Sequence, residues 1–221
     1  MVAHVAAIAL TAFMIYTAVP GSSLFSWHPT LMTIAFMLLM FEAIIVFSRE
    51  SSLIQSSSRV AKAEVHAWVM GIAATCASCG FAAIYVNKDL NHKSHFMTWH
   101  GFIGLLTLCY VMLQLIGGIL LKYSGILRSL NIQIRLADMK LYHATSGLVL
   151  FTAISVTLIL AFWSDWFVSQ TNVYTWYACF MALSCIAMIV MMQITSTYLP
   201  QSRRPGIAFN NAPARKRKKQ K

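Results

Sequence analysis

Six apolar segments take up almost the whole chain, near residues 3–19, 26–47, 63–86, 98–121, 139–163 and 174–199. Five of them reach the ~20 residues that a helix needs to cross a ~30 Å hydrocarbon core, and the first sits at the short end of that range. Inside lipid the backbone must satisfy its own N–H and C=O groups, so segments of this length are read as helices. The chain is therefore predicted to be all-α, an integral membrane bundle of six helices with the lipid bilayer as its partner. Composition agrees: 58% of the 221 residues are hydrophobic and 10% charged, where soluble domains carry about 25% charged residues. The mean hydropathy is +0.66. One membrane domain is expected over residues 1–200, followed by a basic tail over 201–221 that is expected to be disordered.

Residues 1–20 lack the basic start of a secretory signal peptide, although Ala18 before Val19-Pro20-Gly21 resembles a cleavage context. Retention is the expectation, and cleavage would leave the other five spans as they are.

The basic residues orient the bundle. Arg49, Arg59 and Lys62 lie between the second and third segments, and Lys122, Arg128, Arg135 and Lys140 between the fourth and fifth. With the tail, one face holds fifteen cations and the other only Lys88 and Lys93. By the positive-inside rule both termini are cytosolic. The formal charge of +11 is mostly this asymmetry. No aromatic residues interleave the basic run, so nucleic-acid binding is not expected.

Four histidines then fall into register. His28 and His100 each open a segment running one way, and His66 and His143 each open a segment running the other way. Threaded through a bilayer, His66 and His143 share the cytosolic level and His28 and His100 the opposite one. Two imidazoles facing each other across a bundle form an axial ligand pair for haem iron, and two such pairs stacked through a membrane make an electron wire. A single membrane histidine is usually a helix–helix hydrogen bonder, but that reading does not account for four at matched depths. One or two turns inside each interface, the pairs would hold irons on the order of 20 Å apart. Gly104 and Gly147 follow His100 and His143 by four residues, on the same helix face, where absent side chains would admit a flat macrocycle. Small residues suit plain helix packing equally well.

Leu24-Phe25-Ser26-Trp27-His28-Pro29 and Lys140-Leu141-Tyr142-His143-Ala144-Thr145-Ser146-Gly147, with Pro20-Gly21-Ser22-Ser23 ahead of them, resemble the cytochrome b561 family, in particular its short animal branch. The resemblance runs through Tyr198, with motifs of different spans in the right order. It implies six membrane helices, with spans two to five holding two b-type haems. It also implies one-electron transfer from cytosolic ascorbate to ferric iron or the monodehydroascorbate radical, often in a homodimer. The axial positions carried over are His28 with His100 and His66 with His143.

Other residues take candidate roles around that frame. Arg59, Lys62, Arg135 and Lys140 form a cationic rim at the cytosolic level, suited to ascorbate, with Lys140 and Arg135 also candidates for haem propionates. The bland reading is that they anchor helix ends. Glu42 lies fourteen residues after His28, close to four turns, so roughly on the same face. It is a candidate to orient His66 or His143, or to hold a proton. His95 and, less directly, His92 precede His100 and are candidates for the electron acceptor's site. His4 has no evident partner. Cys76, Cys79, Cys109, Cys179 and Cys185 all fall within spans and read as small packing side chains. A proton-coupled transporter, or a membrane protein with structural histidines and no redox chemistry, is the alternative class. The closing Lys218-Lys219-Gln220-Lys221 resembles a dilysine retrieval signal, pointing to the endoplasmic reticulum or an intracellular vesicle. A polybasic grip on anionic lipid is the other reading of that tail.

Overall fold

The structure, a computed structural model, describes residues 2–48 and 50–198. Its long helices are α1 (Val2–Ala18), α2 (Trp27–Ile45), α3 (Arg59–Leu90), α4 (Trp99–Lys122), α5 (Leu136–Phe162) and α6 (Val173–Tyr198). One-turn helices at Gly125–Ser129 and Asp165–Gln170 sit in the links. Helices α2 to α6 are each long and apolar enough to cross a membrane, and α1 is shorter at 17 residues. The protein is an all-helical multi-pass membrane bundle, as its sequence pattern predicts. The basic tail and Arg49 lie outside the described residues.

Start signals in the sequence set two of these helices. Ser58 Oγ accepts from the Ala61 N–H at the head of α3, and Thr98 Oγ1 accepts from the Gly101 N–H at the head of α4. Each satisfies one of the four N–H groups a helix start leaves unpaired. Helix α3 runs for 32 residues, beyond both ends of its apolar stretch. At 1.5 Å per residue that is ~48 Å, so its polar ends extend past a ~30 Å core.

The helices pack as two close pairs, α2 on α3 and α4 on α5, with only a light direct contact between α3 and α4. Helix α6 lies against α5, and α1 closes the bundle against α2 and α6. Gly80 lets the first pair approach closely, since a Cβ there would stand 3.1 Å from Leu31 Cβ. Phe41, Met37, Phe151, Ile154 and Leu183 are buried in the shared core. Leu113 and Ile116 of α4, Val149 of α5 and Met191 of α6 point outward. For a bundle solvated by lipid tails this outer apolar surface is the expected one.

Helix α2 is not uniform. Residues Ile34–Met40 form a seven-residue π-helical stretch. Its i→i+5 bonding turns the chain less per residue, so the face of α2 lags by roughly a third of a turn across it.

Candidate functional site

His28 and His100 stand in the first turns of α2 and α4, at one end of the bundle. Their ring centroids are 6.1 Å apart with planes at 76°. Toward the other end, His66 on α3 and His143 on α5 face each other with centroids 6.3 Å apart and planes at 84°. The four rings thus form one pair in each half of the bundle, each pair spanning the gap between the α2–α3 and α4–α5 units.

The hydrogen bonds behind the rings follow a reciprocal plan. His28 Nδ1 lies 3.0 Å from Gly80 O, and His66 Nδ1 lies 2.8 Å from Ala43 O. So α3 holds the ring of α2, and α2 holds the ring of α3. In the second unit His100 Nδ1 lies 3.0 Å from Thr157 O, which gives α5 the same hold on α4. A peptide carbonyl only accepts, so these three rings carry their proton on Nδ1 and leave the Nε2 lone pair for another partner. His143 differs. Its Nδ1 faces the side-chain amide of Gln114, at 3.2 Å from Nε2.

This geometry fits haem. An iron between two imidazole nitrogens, each about 2 Å away and each roughly 1.1 Å from its ring centre, would set the centroids about 6 Å apart. Among the described residues no three His, Cys, Asp or Glu side chains converge on one point. Each ring pair offers two ligands, so the remaining positions of an octahedral iron would come from a macrocycle. A cavity of about 320 Å³ adjoins His28 and His100, lined also by Phe25, Phe36, Leu105 and Trp166. At the other pair the close neighbour is glycine: a Cβ on Gly118 would stand 3.2 Å from His143 Cε1, and one on Gly117 4.0 Å from Nδ1.

The two glycines picked out from sequence take different places. Gly104 lines the cavity beside His28 and His100, where a Cβ would make an ordinary contact with Thr157 Cγ2 at 3.4 Å. The space at Gly147 is taken by Gln114, whose Nε2 would lie 3.0 Å from a Cβ. The glycines that flank an imidazole are Gly117 and Gly118.

Glu42 does not reach either histidine it was expected to orient. Its Oε1 lies 2.7 Å from His4 Nδ1, while His66 and His143 have Ala43 and Gln114 behind them. The π-helical stretch between His28 and Glu42 explains the difference, because it rotates Glu42 off the His28 face and toward α1. His4 accordingly does have a partner, and its Nε2 bonds Ser51 O at 2.7 Å.

The polar candidates divide by position. His95 lines the His28/His100 cavity, stacks on Tyr85 at 4.1 Å and bonds Asp89 Oδ1 at 2.7 Å. His92 is exposed and left-handed, with φ of 52°, outside that lining. At the other end Arg135 is 84% exposed and bound by Asp138 through both Nε and Nη2, at 2.8 and 3.1 Å. That carboxylate, first by hydrogen bonding and then by charge, raises the guanidinium pKa above its ordinary value. Arg59 and Lys140 are exposed, and Lys62 is half-buried. The five cysteines are free thiols.

Gln114 is what the sequence reading missed, along with Gly117 and Gly118. The available signal was its isolation: it is the lone amide in an otherwise apolar run of α4. Polar groups at that depth are costly unless they serve a partner.

Fold and paired rings together define the class of helical membrane haem proteins. Comparison with known proteins narrows it. Residues 27–168 match the profile of eukaryotic cytochrome b561. Transmembrane reductase CYB561D2 of Bos taurus is 41% identical over 202 residues, covering 91% of this chain and 89% of that protein, and the Homo sapiens protein of the same name matches over the same shares. Probable transmembrane reductase CYB561D1 of Homo sapiens is 36% identical over 203 residues, 92% of this chain and 87% of the relative. The chain belongs to the cytochrome b561 family, which binds b-type haem.

Proposed function

We propose that this protein is a transmembrane reductase. It takes single electrons from cytosolic ascorbate and passes them through two b haems to ferric iron or monodehydroascorbate on the opposite side. The observation that carries the reading is the pair of facing imidazoles in each half of one membrane bundle, His66 with His143 and His28 with His100. The names of the CYB561D2 and CYB561D1 relatives point the same way.

A haem ligated by two imidazoles supplies reversible one-electron iron chemistry and has no open position for oxygen. The residues do the rest. His66 and His143 hold the cytosolic haem, and His28 and His100 the other. The carbonyls of Ala43, Gly80 and Thr157 fix three of the four rings. Arg59, Lys62, Lys140 and Arg135 form the rim that draws in anionic ascorbate, and Lys140 and Arg135 would be the candidates to bind haem propionates. There ascorbate gives up one electron, releases one proton to the cytosolic water and leaves as monodehydroascorbate. On the far side His95 receives the acceptor, and ferric iron leaves as ferrous. Glu42, held by His4, is the candidate to store a proton near the cytosolic end.

Residues 1–200 form the membrane domain in this reading, and 201–221 a basic cytosolic tail. Both termini are cytosolic, the protein resides in the endoplasmic reticulum or an intracellular vesicle, and it assembles as a homodimer.

The deciding experiment uses purified protein in liposomes loaded with ascorbate and challenged outside with a ferric chelate. Expected are a reducible b-type spectrum, two haems per chain and external ferrous iron that depends on internal ascorbate. His28→Ala and His143→Ala should each lose one haem. Haem-free protein, or full haem in those variants, overturns the reading.

A further inference from the structure

The four rings differ in one respect that the proposed ligation does not itself explain. Three have a backbone carbonyl behind Nδ1, and His143 has a side chain. A carbonyl in a helix has one polarity and cannot turn. An amide has a donor end and an acceptor end, and can present either.

The surroundings of Gln114 are fully engaged. Its Nε2 donates to His143 O at 2.6 Å and stands 3.2 Å from His143 Nδ1. Ser146 Oγ donates to its Oε1 at 2.8 Å and lies 3.3 Å from His143 O. One turn away, Tyr110 OH donates to Ser146 O at 2.9 Å. Gly147 makes room for the amide, and Gly118 brings α4 against the imidazole.

In this arrangement an amide N–H faces Nδ1, which favours the proton on Nε2, the nitrogen needed to bind iron. Ligation through Nε2 requires the other tautomer, with Nδ1–H donating. The amide can meet that need by turning over and moving off His143 O, since an Oε1 left in the Nε2 position would face that carbonyl at 2.6 Å, acceptor against acceptor. Once clear of it, Oε1 accepts from Nδ1–H. Ser146 can follow, because a hydroxyl both donates and accepts. It then accepts from the amide NH2 and donates to His143 O, the carbonyl that the amide has released.

We propose that Gln114 is the positioning residue of His143, setting that ring's tautomer and donor strength through an amide that Ser146 can serve in either orientation. The inference rests on the proposed axial pairs and goes beyond them. It makes the haem at His66 and His143 adjustable by a side chain, whereas the haem at His28 and His100 is fixed by backbone. A stronger acceptor behind Nδ1–H makes the ring a stronger donor to iron and favours the ferric state.

The test is a redox titration of haem absorbance on purified full-length protein, comparing wild type with Gln114→Glu and Gln114→Met. His143→Ala assigns which component belongs to that ring. Gln114→Glu, nearly isosteric and a stronger acceptor, should move the His143 component to lower potential and leave the other in place. Gln114→Met removes the acceptor and should weaken or empty that same site, with the His28/His100 component reporting that the bundle is folded. If Gln114→Met fails to fold, Gln114→Glu decides alone. Two unmoved components at full haem content in Gln114→Glu overturn the proposal, leaving Gln114 a helix–helix bridge. Wild-type protein with one haem per chain instead overturns the two-haem reading, and this inference with it.

Discussion

His4 Nδ1 on α1 lies 2.7 Å from Glu42 Oε1 on α2, and the other ring nitrogen bonds Ser51 O at 2.7 Å. One imidazole thus ties the first helix to the second and to the loop that follows it. The histidine side chain is 7% exposed and the carboxylate 25%. Removing one member would strand a largely buried polar group, which costs more than removing both. His4→Leu and Glu42→Leu should each destabilise the bundle by about 1–3 kcal/mol. The double variant should lie closer to wild type than the sum of the two. Thermal unfolding of the detergent-solubilised protein reads the cycle. Strict additivity would mean that the pair is not coupled.

Two adjacent glycines on α4 should behave differently. A Cβ on Gly118 meets His143 Cε1 at 3.2 Å, while one on Gly117 sits at an ordinary 4.0 Å from Nδ1. Gly118→Val should therefore displace the ring and lower haem content, and Gly117→Ala should keep it. The ratio of haem absorbance to protein is the measurement. Equal haem in both variants would show that the imidazole can give way.

The helices were legible because each depends on a local fact, an apolar run of span length. The facing of the four histidines follows from alternating helix direction, which a count of spans supplies. Glu42 was misplaced because the count assumed an unbroken α-helix, and a π-helical stretch has no signature in residue type. Gln114 and Gly118 were missed because their role is relational. Nothing near them in the chain shows that His143, far along in sequence, packs against that face of α4. The same is true of Gly80, Ala43 and Thr157, whose contribution is a carbonyl oxygen and not a side chain.

His95 and His92 separate by the same logic. Stacked on Tyr85, bonded to Asp89 and set in the cavity lining, His95 is held where a species approaching the His28/His100 end would meet it. His95→Ala should raise the KM for an external ferric chelate and leave the haem spectrum unchanged. His92→Ala should leave both unchanged. Matching kinetics for His95→Ala and wild type would remove it from the acceptor site.

Lys218 and Lys219 lie outside the described residues. Lys218→Ser with Lys219→Ser should move the protein from the endoplasmic reticulum to later compartments, as fluorescence microscopy would show. An unchanged distribution would favour the polybasic segment as a lipid contact.

On the proposed cytosolic rim the cations are not equivalent. Arg135 keeps its charge, since Asp138 raises its pKa, but that charge is largely cancelled by the same carboxylate at 2.8 Å. Lys140 is exposed and makes no ion pair among the described residues. It also lies one turn before His143, so an anion bound to it would stand near the haem proposed for His66 and His143. An uncompensated surface charge acts at a distance that salt screens, within about 10 Å at 0.1 M. Lys140→Ala should therefore raise the KM for ascorbate by roughly fivefold at low ionic strength, about 1 kcal/mol. The difference from wild type should shrink as salt is added. Arg135→Ala combined with Asp138→Ala should have a smaller effect, because it removes a pair whose net charge is near zero. Steady-state reduction of the purified protein across an ionic-strength series distinguishes the two. An effect of that double variant larger than that of Lys140→Ala would mean that the guanidinium leaves Asp138 to bind ascorbate itself.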